Sequence, residues 1–136
     1  MNTQNSRKNL TKPVTPQPLR LKEYFLPIGR KVPGKNFTGY FVSQYGTVQD
    51  RRTDNHQICG TSRLKEGYIY CKMTDIDTGK SRLVAVHQLV CFVFHGSTYS
   101  SEKNQVDHIG GVKDNNHRDN LRFVSPGENN RHASMM

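Results

Sequence analysis

Cysteine is scarce in this 136-residue chain: Cys59, Cys71 and Cys91 are all it contains, and no two form a CxxC pair. An odd, widely spaced set of thiols argues against a disulfide framework and against a cysteine-ligated zinc site, and fits a reducing, intracellular setting. Long apolar runs are missing too. The opening MNTQNSRKNLTKPVTPQPLR lacks the apolar core of a signal peptide, and nowhere do eighteen apolar residues run together, so neither secretion nor a membrane partner is expected. With 33% of residues hydrophobic, any core must be small, and one domain with flexible ends is expected.

Acidic residues are few as well. Eleven Asp and Glu stand against 20 Lys and Arg, a net +9. Such an excess draws a protein toward polyanions through counterion release, which makes nucleic acid the leading partner, although a solvated surface can carry charge without any ligand. Residues 1–20 hold no acid, four bases and three prolines, and read as a basic disordered arm of charge +4. Residues 21–100 carry +5 and residues 101–136 carry none, so binding and chemistry look divided along the chain.

Regular structure follows from local patterns. GYFVSQYGTVQDRR, from Gly39, reads as a hairpin around a Tyr-Gly turn. Ile69, Cys71 and Met73 alternate with Tyr68, Tyr70 and Lys72, and DTGK at 77–80 turns this strand back into Arg82-Leu83-Val84. Asp75 and Asp77 beside that turn lack the further positions of a calcium loop. In VAVHQLVCFVFHG, Val86, Leu89, Val90 and Val93 share a helical face and Gly96 marks a stop, which predicts a central buried helix. His87 lies off that face, as a structural histidine or a phosphate contact.

The chemistry concentrates in VDHIGGVKDNNHRDNLRFVSPGENNRHA, residues 106–133. Val106–Ile109 and Leu121–Val124 read as two short strands, and Ser125-Pro126-Gly127-Glu128 as a capping box that starts a helix with Asn129 in its first turn. Phosphodiester hydrolysis needs a deprotonated water, a divalent cation on the phosphoryl oxygens and a stabilised leaving oxyanion. Asp107 and Asn129 offer hard oxygens suited to Mg²⁺ or Mn²⁺, and His108, with an ordinary pKa of about 6.5, can accept a proton near neutrality. Asp-His with Asn-rich turns can also be simple loop chemistry. Adjacent strand residues such as Asp107 and His108 should, moreover, face opposite ways unless the strand end twists.

The combination DH at 107–108, NN at 115–116, DNL at 119–121 and SPGEN at 125–129 resembles the HNH endonucleases, especially the phage and intron homing type. With GYFVSQYGTV and VHQLVCFVFHG, the resemblance covers most of residues 39–133. It departs at DHIGGV, where relatives commonly read DHIDGN, and at Gln88, where arginine is usual. The resemblance implies an α+β chain of small β-hairpins and a central helix followed by a ββα-metal motif, divided as the arm (1–20), upstream DNA-binding hairpins and buried helix (21–100) and the nuclease motif (101–136). It implies His108 as general base, Asp107 and Asn129 holding one Mg²⁺ or Mn²⁺, and Asn120 bracing the loop, with Asn116 competing for that last role. His117 or His132 could touch phosphate. Arg51, Arg52, Arg63, Lys65, His87, Arg122 and Arg131 are the expected contacts to double-stranded DNA. The cytoplasm of a phage-infected bacterium is the implied setting. One rival is a DNA-binding or phage interaction protein that keeps the scaffold without cutting, disfavoured by retention of all three catalytic residue types. An RNA-binding module would need stacking aromatics, and Tyr40, Tyr45, Tyr68 and Tyr70 all lie in strand patterns.

Overall fold

Helix α1, Val86–His95, is the element around which the others pack, and the computed structural model describes it within residues 22–135. Val86, Leu89 and Val90 recur at i, i+3 and i+4 and are at most 1% exposed, as the periodicity requires. Cys91 completes the buried face, whereas Val93, expected there, is only partly covered. The helix ends at Gly96 and passes into a short 3₁₀ turn. Residues 1–20, read from sequence as an arm, lie outside the described part.

Among the described residues, three antiparallel sheets surround it. The first has order β1-β2-β3-β4, from Phe25–Gly29, Phe37–Ser43, Val48–Asp50 and Gln57–Ile58. Its β2–β3 pair is the hairpin expected from Gly39 onward, turning through Tyr45 and Gly46. Phe37 and Tyr40, three apart, both point inward, which a regular strand forbids. Gly39 resolves this with φ +95°, a value L-residues rarely adopt, and the register of β1 against β2 shifts between Pro27 and Gly29.

The second sheet has order β5-β6-β7, from Thr61–Arg63, Ile69–Thr74 and Ser81–Ala85. Its inward residues Cys71 and Met73 are each 1% exposed. The 75–80 connection is a turn. Asp75 accepts from the Asp77 amide at 2.9 Å, and the Asp77 carboxylate pairs with Arg30 and accepts from Asn36. The third sheet joins β8, Gln105–His108, to β9, Leu121–Val124, and α2, Pro126–Met135, follows. The fold is therefore α+β with small antiparallel sheets. One hydrophobic cluster runs from Ile28 through Leu89 to Phe123, so the β8–β9–α2 unit shares its core with the upstream sheets. No helix among the described residues is long and apolar enough to cross a membrane.

Candidate functional site

The β8–β9 register sets Asp107 opposite Arg122 and His108 opposite Leu121. Arg122 donates from Nε to Asp107 Oδ2 at 3.0 Å. The chain then turns through the capping box: Ser125 N–H donates to Glu128 Oε1 at 3.0 Å, and Glu128 N–H to Ser125 Oγ at 3.1 Å. Those bonds to Ser125 hold the Glu128 carboxyl below its ordinary pKa, with Lys103 contributing. The cap aims α2 across β8, so that Asn129 and His132, three apart on one helix face, both reach the strand. Asn129 donates from Nδ2 to Gln105 Oε1 at 3.0 Å, and His132 donates from Nδ1 to Asp107 Oδ1 at 2.6 Å.

Asp107, His108, Asn129 and His132 line one cleft of about 240 Å³. Although sequential on a strand, Asp107 and His108 are 5% and 7% exposed and both face it. His108 is the last residue of β8, and the chain turns immediately: Gly111, at φ +78°, donates to the His108 carbonyl at 2.8 Å. The alternation that would separate the two side chains ends where they are needed.

Two asparagines divide the work around His108. Asn120 accepts from the Gly110 amide at 2.9 Å and donates to the Asn115 carbonyl at 2.9 Å, tying both arms of the 108–120 loop together. Buried Asn116 instead places Oδ1 3.0 Å from His108 Nε2. An amide oxygen only accepts, so Nε2 is the donor, and in the neutral ring that leaves the lone pair on Nδ1. The ring also lies 5.1 Å from His87 and 5.7 Å from Tyr68. Burial, and secondarily the charge of His108, pushes His87 down to about 4.

Sequence alone did not assign Asn116 this role, nor bring Tyr68 and Lys113 to the cleft. Lys113 lies 5.1 Å over the Tyr68 ring and donates to the Glu66 carbonyl at 2.9 Å. A cation inside the Asn-rich loop was a visible signal for Lys113, whereas nothing local marked Tyr68.

Residues 84–131 match the family described as HNH endonuclease. That segment belongs to the HNH endonucleases. Over 108 residues the chain is 34% identical to an uncharacterised HNH endonuclease of Acanthamoeba polyphaga mimivirus, covering 78% of this chain and 26% of that protein. It is also similar to the HNH homing endonuclease I-HmuI, whose solved structure concerns DNA binding and cleavage by that enzyme, with TM-score 0.63 and 27% identity over 82% of this chain and 58% of that one. The chain thus spans about a quarter of the curated relative it matches.

The remaining residues of interest lie within and around this HNH segment. Arg52 pairs with Asp50 at 2.9 Å, and Arg63 pairs with Asp114. Arg51 lies 3.9 Å over the Phe41 ring and donates to Gln49 at 2.6 Å. Lys65 and Arg131 are exposed. His117 accepts from the Asp119 amide and packs on Tyr45, so its ring is part of the loop's structure. The donor set available to a divalent cation is hard oxygen: the Asp107 carboxylate, and Asn129 Oδ1, whose amide nitrogen is occupied by Gln105. These oxygens suit a hard divalent cation. Both Asp107 oxygens already accept hydrogen bonds from His132 and Arg122, so an ion must share or displace those donors.

Proposed function

We propose that the protein is a metal-dependent endonuclease of the homing type that hydrolyses phosphodiester bonds of double-stranded DNA. The observation that carries this reading is the convergence of Asp107, His108 and Asn129 on one cleft, with Asn116 at the far nitrogen of His108. A bound divalent cation would polarise the phosphoryl oxygens and stabilise the leaving oxyanion. Asp107 and Asn129 would hold it. Nδ1 of His108 takes the proton from the attacking water, and the Nε2–H to Asn116 bond keeps the resulting imidazolium in place. Arg122 and His132 orient the Asp107 carboxylate. Lys113, lining the same cleft, is available to the phosphate.

A second reading is a DNA-binding protein that does not cut, and one feature favours it: each Asp107 oxygen already accepts a hydrogen bond, from Arg122 and from His132. Incubation with supercoiled plasmid separates the two. The enzyme converts plasmid to open-circular or linear DNA with Mg²⁺ or Mn²⁺ and stops with chelator. His108→Ala lowers the rate by roughly 10²–10⁴ while duplex binding persists. Intact plasmid under every metal condition, with tight binding, would establish the second reading instead.

A further inference from the structure

A second concave surface lies beside the HNH cleft. It holds about 450 Å³ and is lined by Lys35 from the β1–β2 connection, Lys80 and Arg82 at the start of β7, and His87 and Gln88 of α1. Its three cations are exposed and make no ion pair among the described residues. Several arginines elsewhere are committed to carboxylates: Arg30 to Asp77, Arg52 to Asp50, Arg63 to Asp114 and Arg122 to Asp107. The carboxylate within the lining, Asp75, accepts from the Asp77 amide in its own turn.

Position adds to charge. Lys80 ends the turn that feeds β7 and Arg82 lies in β7, two residues on, and both line this surface. Phosphate charges recur along one DNA strand every 3.4 Å or so of helix axis, so two neighbouring cations can each meet a separate phosphate. His87 lines this surface, and its ring stands 5.1 Å from that of His108, so the surface continues to the residue proposed as general base.

We propose that this basic cleft, rather than the paired arginines of the hairpins, seats the phosphates that flank the scissile bond. Lys35, Lys80 and Arg82 neutralise them, with Gln88 at the same wall as a neutral hydrogen-bonding side chain. Unpaired cations release counterions on binding without first breaking an internal ion pair. The proposal rests on the DNA endonuclease reading and extends it to the substrate track.

The test is a titration of a fluorescent duplex with the full chain, in chelator, at several salt concentrations. Lys35→Ala/Lys80→Ala/Arg82→Ala should flatten the log–log salt slope by about 2–3, near 0.9 per lost contact. Arg52→Ala should leave it nearly unchanged. Gln88→Arg, which adds charge to the same wall and removes nothing from the core, should steepen the slope by about 0.9. An unchanged slope in both the triple variant and Gln88→Arg, with wild-type binding intact, overturns this cleft alone. Wild-type protein that fails to bind duplex at any salt overturns the endonuclease reading itself.

Discussion

At the residue scale, the hydrogen bond between Asn116 and His108 Nε2 decides which ring nitrogen is free. Asn116→Ala should let both tautomers populate and lower the cleavage rate by about 10–100-fold, the usual cost of losing an orienting partner, with little change in KM. Nitrogen-15 NMR of the His108 ring checks this independently of activity: Nε2–H alone in the parent, a mixture in the variant. His87 makes a separate prediction. Its folded pKa of about 4 lies below its unfolded value of 6.5, so it favours the neutral form; the stability it contributes is complete above pH 6.5 and is lost as pH falls toward 4. The loss is on the order of 3 kcal/mol. Tyr68 and His108 are the titratable rings facing it. Urea denaturation of the parent and His87→Phe from pH 7 to 4 should show the extra acid sensitivity in the parent only.

At the element scale, the β2–β3 turn holds the loop that carries Asn116. Arg118 N–H donates to the Gln44 carbonyl at 2.8 Å, and Tyr45 packs on His117. Gly46 permits the approach: its φ is +88°, and a Cβ there would stand 3.0 Å from both Asn116 Cβ and Val86 Cγ1. Gly46→Ala should therefore destabilise the fold by about 1–3 kcal/mol and slow cleavage beyond what the stability loss explains, as denaturation and cleavage rates on one preparation would show. Helix α2 depends in the same way on its cap. Ser125→Ala should cost about 1 kcal/mol, and because α2 carries Asn129 and His132 it should also raise the metal concentration needed for half-maximal cleavage. Unchanged metal dependence would remove Asn129 from the ligand set.

At the scale of the whole molecule, the HNH segment is held from two sides. The β2–β3 turn grips residues 116–118, while Arg63 pairs with Asp114 and Lys113 reaches the Glu66 carbonyl. Beneath them one core joins upstream sheets, α1 and β9. That core shields two of the thiols. Cys71 and Cys91 are 1% and 0% exposed, and burial pushes both to about 12. Cys59 is only partly buried. A thiol-specific reagent at pH 8 should thus label one cysteine in native protein and three after denaturation. Rapid labelling of two or more in the native state would contradict the shared core.

Much of this architecture is legible locally, because hairpins, an amphipathic helix and a capping box are written in spacings of two to four residues. The β2–β3 and β6–β7 hairpins, α1 and the Ser125/Glu128 cap follow from such spacings, and the Asp-His-Asn pattern points to HNH chemistry before any contact is known. Which atoms meet is a different matter. Asn116 and Asn120 are indistinguishable by composition and sit four residues apart, yet one orients His108 and the other ties the loop, a division set by a turn some 70 residues upstream and by glycine φ values that no side-chain pattern announces. Charge shows the same separation. The excess of Lys and Arg is plain in the sequence, but whether a given cation is free depends on which carboxylate the chain path brings beside it. Tertiary structure decides that, because ion pairs such as Arg63–Asp114 join residues far apart along the chain.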